Sequence, residues 1–253
     1  MGLEHRVLSE AVKAVLALVY PPQCLACGEA VAGGEGTVHL CPACWPDAAF
    51  LGASCCDSCG VPLPAGPEGE EGLVCDDCLA RPRPWERARA ALVYAGTGKK
   101  LVLALKHADR PDLAPALGAW LSRAAAPLVT PDTVVVPVPL HLRRLLRRKY
   151  NQAELLAGHV ARTHSLVLAP RLLRRVRHTE GQDHRGVIDR FANVAGALAV
   201  NAARAAPLAG RPVLLVDDVM ASGATAAEAA AALAAAGLGP VRVAVLARAV
   251  KDA

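Results

Sequence analysis

Two adjacent carboxylates, Asp217 and Asp218, close the apolar run Val213-Leu214-Leu215-Val216. They are followed by Val219, Met220 and the small-residue turn Ala221-Ser222-Gly223-Ala224-Thr225. A buried strand that ends in acid and turns through small residues into an alanine-rich helix near Ala226 suits a phosphorylated ligand. The helix N-terminus offers unpaired N–H groups, and Ser222, Gly223 and Thr225 let backbone and hydroxyls come close to an anion. The stretch has no lysine of the kind that ends a Walker A loop, so an ordinary ATP site is not expected. Carboxylates beside a phosphate cradle call for vicinal hydroxyls as well, which a ribose 5-phosphate provides. Asp217 and Asp218 can accept from the 2- and 3-hydroxyls, with Mg2+ bridging those hydroxyls and a pyrophosphate at C1. They would also stabilise positive charge on the ring as pyrophosphate left. An Asp-Asp pair on its own also occurs as an ordinary helix N-cap; the thirteen-residue pattern sets this one apart.

A second group with chemical spacing lies near the start. Eight of the nine cysteines form four Cys-x-x-Cys pairs: Cys24 and Cys27, Cys41 and Cys44, Cys56 and Cys59, Cys75 and Cys78. Thiolates at this spacing suit structural Zn2+, two ions for eight ligands, in a module too small to fold on its own core. Sequential ribbons and a cross-brace joining first with third and second with fourth both fit; the sequential arrangement is favoured. Cys55 is the leftover thiol, able to replace Cys56 if the knuckle slips by one residue. No cysteine follows Cys78, which puts a domain boundary near residues 80 to 88. Residues 1–87 then hold an N-terminal helix and the zinc module, and residues 88–253 the main domain. Arg81-Pro82-Arg83-Pro84 reads as a stiff linker.

The elements that must place the acidic pair follow from the apolar pattern after Ala88, where runs of strand length alternate with amphipathic segments. Strands are expected over Ala90 to Ala95, Thr133 to Val138, Arg211 to Val216 and Val241 to Ala247. Helices are expected over Gly98 to His107, Leu113 to Ala126 and Asn151 to Thr163, with a loop from Pro139. This is an α/β protein with an open, mainly parallel sheet, and the acidic pair falls just past the carboxyl end of a strand, where such sheets bind ligands.

The net charge is +5, and residues 140 to 190 hold twelve Lys and Arg against four Asp and Glu. One cluster comprises Arg143, Arg144, Arg147, Arg148 and Lys149, the other Arg171, Arg174, Arg175 and Arg177. A single arginine is most simply a solvated surface residue. Two clusters in expected loops beside the phosphate turn point to a polyanion: pyrophosphate, nucleic acid, or both. Tyr150 and Phe191 are the only aromatics among them, which is thin support for a base-stacking platform.

With 253 residues, 53% of them hydrophobic, the chain can bury a real core and is not a disordered protein. The alanine-rich stretch from 224 to 239 is broken by Glu228 and glycines, so no membrane span is expected. Residues Leu8 to Tyr20 look like a signal peptide, but Glu10 and Lys13 inside them fit a short amphipathic helix better. A cytoplasmic protein is expected.

Residues 213 to 225 resemble the phosphoribosyl pyrophosphate signature of type I phosphoribosyltransferases; Ala221 departs from it, standing where the family often has threonine. Almost the whole chain resembles the ComF family of competence-associated proteins. The likeness is carried by Cys24-x-x-Cys27-Gly28 and the later cysteine pairs, Leu105-Lys106, Val136-Pro137-Val138-Pro139-Leu140, Arg148 to Leu156, Thr179-x-x-Gln182 and Arg190-x-x-Asn193-Val194. Lys149 takes a position where the family usually has glycine.

The resemblance implies a type I phosphoribosyltransferase-like domain behind the zinc module, able to bind phosphoribosyl pyrophosphate with Mg2+. It further implies handling of single-stranded DNA in natural competence, with helicase and recombination machinery as candidate partners. Asp217 and Asp218 take the catalytic positions. Ala221, Ser222, Gly223, Ala224, Thr225, Arg148 and Arg190 are the ligand contacts, Arg190 within an expected hood from Arg174 to Asn193. An active Mg-dependent phosphoribosyltransferase with an unknown acceptor, and a regulator that kept the fold without the chemistry, are the alternatives.

Overall fold

The computed structural model describes residues 21–31, 40–64, 72–107, 110–177 and 187–250. The helix expected over Leu8 to Tyr20 and the Thr179-x-x-Gln182 motif lie outside the described residues. The strands are β1 (Ala88–Val93), β2 (Val134–Pro137), β3 (Val167–Leu168), β4 (Leu173–Arg175), β5 (Leu198–Val200), β6 (Val213–Met220) and β7 (Val241–Arg248). The helices are α1 (Asp76–Ala80), α2 (Gly96–His107), α3 (Ala114–Ala125), α4 (Leu142–Arg148), α5 (Gln152–Thr163), α6 (Val187–Val194), α7 (Ala202–Ala205) and α8 (Ala224–Ala235).

Five strands form one sheet in the order β1-β7-β6-β2-β3, each pairing parallel. A parallel sheet is covered on both faces, so its central strands are apolar throughout, and alternate residues serve opposite layers. Val135, Leu214, Val216, Ala244 and Leu246 meet Leu101 and Leu105 of α2, Leu117 and Leu121 of α3, and Leu156 and Val160 of α5. Val134, Val136, Leu215, Val243 and Val245 meet Ala226, Ala229, Ala230 and Leu233 of α8, together with Cys56, Cys59, Cys78 and Trp85. Each buried leucine or valine contributes about 1.5–3 kcal/mol.

The amino-terminal segment wraps both layers. Residues 49 to 51 pair antiparallel with the outer edge of β1, Leu51 N–H donating to the Ala91 carbonyl (2.9 Å) and Val93 N–H to that of Ala49 (3.0 Å). This covers an edge that would otherwise offer unpaired backbone. Phe50 then meets Trp120 of α3 edge-on at 4.9 Å and Trp45 at 5.0 Å.

Three expectations change. The ladder with β7 runs on through Asp217↔Val245 and Val219↔Ala247 to Met220↔Arg248, so the acidic pair lies within the strand rather than past its end. The segment after Pro139 forms α4, which places Arg143, Arg144, Arg147 and Arg148 on a helix. Arg174 and Arg175 lie on β4, which pairs antiparallel with β5 in a separate two-stranded flap. Arginine is a good helix former, so the basic run after Pro139 continues as a helix, with Arg143 and Arg147 exposed and Arg144 and Arg148 lining the cleft.

Candidate functional site

The site grows from the end of β6. Consecutive strand residues face opposite ways, so Asp218 points toward α2 and Asp217 toward the flap and α8. Asp218 is 9% exposed and pairs with Lys106 Nζ at 3.1 Å. Lys106 is held there by the junction of α2 with α5: Tyr150 Oη donates to the Leu105 carbonyl at 2.6 Å and Gln152 Nε2 to that of Lys106 at 3.4 Å. Asn151 caps α5, its Oδ1 accepting from Ala153 N–H at 3.2 Å, while its Nδ2 donates to the Val138 carbonyl at 3.0 Å. The strand-end and helix-start motifs are thus stitched into one floor.

Asp217 accepts from the Asp218 backbone N–H at 2.8 Å. Burial, reinforced by the adjacent Asp218 carboxylate, lifts its pKa to about 7. Beyond Met220 the chain turns through Ala221 and Ser222 to Gly223, whose φ of 80° begins α8. That left-handed angle favours glycine, and the ring edge of Trp85 lies only 3.1 Å from where a Cβ would fall. The Ala224 N–H donates to Ser222 Oγ at 3.4 Å, leaving the first turn of α8 open toward the cleft.

The cleft encloses about 430 Å³, and the acidic pair, residues 221 to 225, Lys106, Arg144, Arg148 and Arg175 line it. Burial pulls the Arg148 guanidinium below its usual range against the opposing Asp218 charge. Burial likewise lowers Arg175, with Asp217 opposing, and Arg175 Nε is buried with no hydrogen-bond partner. The cleft therefore joins anion-binding groups at two sides, the α8 N-terminus and the arginines, to carboxylates between them.

Among the expected residues, Asp217, Asp218, Arg148 and residues 221 to 225 come together, and Arg190 lies on α6 outside the cleft lining. Lys149 closes α4 in the left-handed conformation (φ 66°), the geometry a glycine adopts without strain, so the chain keeps the turn. Ala221 offers its carbonyl to Arg248 Nη1 at 2.8 Å, a backbone anchor that needs no threonine hydroxyl. Lys106 and Arg175 stood in recognised stretches, yet no spacing rule ties them to the acidic pair.

The cysteines form two groups, Cys24, Cys27, Cys41 and Cys44, and Cys56, Cys59, Cys75 and Cys78, each with its ligand atoms within 4.8 Å of one another. The pairing is sequential. Cys41 N–H donates to Cys24 Sγ and Cys75 N–H to Cys56 Sγ, both at 3.3 Å, and four close sulfurs with such support fit zinc. Cys55 is buried outside both groups.

An open parallel sheet with this site on its central strand, preceded by paired four-cysteine ribbons, defines an α/β protein with a zinc module. Residues 15–82 match the double zinc ribbon domain. The chain is 33% identical over 196 residues to the DNA utilization protein YhgH of Salmonella typhi, covering 75% of this chain and 82% of that protein. It is 35% identical over 115 residues to competence protein F of Haemophilus influenzae, covering 46% and 50%. The chain belongs to this family, the ComF family. A looser overlap, 19% identical with a TM-score of 0.38, is found with the glutamine phosphoribosylpyrophosphate amidotransferase of B. subtilis, covering 56% of this chain and 30% of that one. Among the described residues no helix is long and apolar enough to cross a membrane.

Proposed function

We propose that the cleft binds phosphoribosyl pyrophosphate, or a closely related ribose 5-phosphate, and that the chain handles single-stranded DNA in natural competence. The observation that carries the ligand reading is the Arg175 Nε buried without a partner in a cleft shared with the acidic pair and the α8 N-terminus. A desolvated guanidinium donor without an acceptor suits an anion that arrives with the ligand. The 5-phosphate takes residues 221 to 225, Asp217 and Asp218 receive the ribose hydroxyls, and Arg148 and Arg175 face the pyrophosphate. Mg2+, when it arrives with the ligand, offsets the pyrophosphate charge. Arg190, on α6 beyond this cleft, is left for a contact made from the flap side.

The relatives' names, DNA utilization protein and competence protein F, support the DNA role. So does α4, where Leu142 and Leu146 are 63% and 72% exposed among Arg143 and Arg147. Arginines of this kind contact backbone phosphates. Residues 1–87 and 88–253 are the two units of the reading, with a cytoplasmic site of action and helicase and recombination proteins as partners.

Calorimetric titration with phosphoribosyl pyrophosphate and Mg2+ and DNA binding across a salt series, on wild type and on Asp217→Ala/Asp218→Ala, test both halves. The double variant loses the ligand and keeps DNA; no heat from wild type rejects the ligand site. DNA affinity falls steeply with salt, by about 0.7 log units per log salt for each phosphate neutralised; a flat series rejects the DNA role.

A further inference from the structure

We propose that the second zinc ribbon is the platform on which the phosphate loop is built, and that Arg83, Trp85 and Arg248 are its positioning residues. The inference rests on reading residues 221 to 225 as the phosphate-binding loop. Three side chains each reach from ribbon to loop. Arg83 donates through Nε to Cys78 Sγ at 3.3 Å and through Nη1 to the Ser222 carbonyl at 3.1 Å. Trp85 donates through Nε1 to the Ser58 carbonyl, between two ligand cysteines, at 2.6 Å, and its ring edge packs on Gly223. Arg248 donates through Nε to the Cys59 carbonyl at 2.9 Å and through Nη1 to the carbonyls of Met220 (3.0 Å) and Ala221 (2.8 Å).

The chemistry of the turn explains why such bracing is needed. For its N–H groups to face an anion, the carbonyls of residues 220 to 222 must turn the other way, where leaving any of them buried and unpaired is costly. The two guanidinium groups reach all three: Arg248 donates to the Ala221 carbonyl and joins the Ala249 N–H on that of Met220, and Arg83 donates to that of Ser222. Each guanidinium is fixed in turn by a group belonging to the ribbon: a ligand sulfur for Arg83, a knuckle carbonyl for Arg248. Arg248 is 7% exposed, and a buried cation is held only where its donors are matched. The first ribbon has a different role, since its neighbouring residues 49 to 51 and Trp45 run to β1 and α3.

Full-length zinc-loaded protein carrying Arg83→Ala or Arg83→Lys provides the test. Zinc content, thermal midpoint, amide exchange of residues 221 to 225 and affinity for phosphoribosyl pyrophosphate with Mg2+ are measured against wild type. Both variants retain two zinc ions and the exchange protection of α3 and α5. Loop amides exchange about tenfold faster and ligand affinity falls about tenfold, the worth of one charge-assisted hydrogen bond. Lysine does not rescue, because its one nitrogen cannot take the separate positions of Nε at the sulfur and Nη1 at the carbonyl. Loop exchange that stays at the wild-type rate in Arg83→Ala overturns the platform. Absence of ligand binding by wild type would instead reject the phosphoribosyl reading, and the exchange rates would still decide the platform.

Discussion

Asp217 and Asp218 are neighbours in sequence with different electrostatic lives. Asp218 is paired with Lys106 at 3.1 Å, while Asp217, desolvated beside that carboxylate, titrates at about 7. A carboxyl accepts two ribose hydroxyl hydrogen bonds well only when ionised. Ligand affinity therefore rises from pH 6 to pH 8, and calorimetry on Asp217→Asn gives a flat profile over the same range. The sign for stability is opposite. The folded state holds a proton that the unfolded chain has lost between about pH 4 and 7. Denaturant titrations should show wild type losing stability relative to Asp217→Asn as pH rises through that window; a constant difference would mean Asp217 is not desolvated.

At the scale of elements, α3 and α5 hold the floor on which Lys106 and Gln152 stand. They approach closely because Gly118 has no side chain: a Cβ there would come within 2.5 Å of the His159 Cβ. Gly118→Ala forces the helices apart and destabilises the fold by about 1–3 kcal/mol, despite the better helix propensity of alanine. A thermal midpoint that rises on this substitution would contradict the packing described. The α4 helix ends on a left-handed Lys149, and two of its arginines, Arg144 and Arg148, line the cleft.

For the molecule as a whole, the two ribbons clasp opposite layers of the sheet. The first is followed by the strand that covers the β1 edge, with Leu25, Ala26 and Leu40 against the α2–α3–α5 layer. The second shares the core of the α8 layer. Metal analysis of chelator-free protein returns about two zinc ions per chain. Stripping them lowers the midpoint of the main domain as well, since the ribbons form part of its core; a main-domain transition indifferent to chelator would refute that sharing.

The sequence by itself determined the local features: four of the five sheet strands, all but the two-residue β3, from their apolar runs, the ribbons from Cys-x-x-Cys spacing, and the strand–turn–helix of residues 213 to 225 from its acidic pair and small residues. These are legible because short-range sterics, burial and ligand spacing act over a few residues. The antiparallel pair of β4 and β5 was hidden, since three-residue strands carry too little periodicity. The Arg-Pro-Arg-Pro segment read as a linker, although Arg83 in it bridges a ligand sulfur and Ser222. Only the tertiary structure decided that Lys106 pairs with Asp218, that Arg175 lines the cleft, and that Arg248, 189 residues from Cys59, donates to the carbonyls of Met220 and Ala221. Those pairings join distant parts of the chain. They are set by how the layers pack and by the need to match buried polar groups, and no local pattern records either.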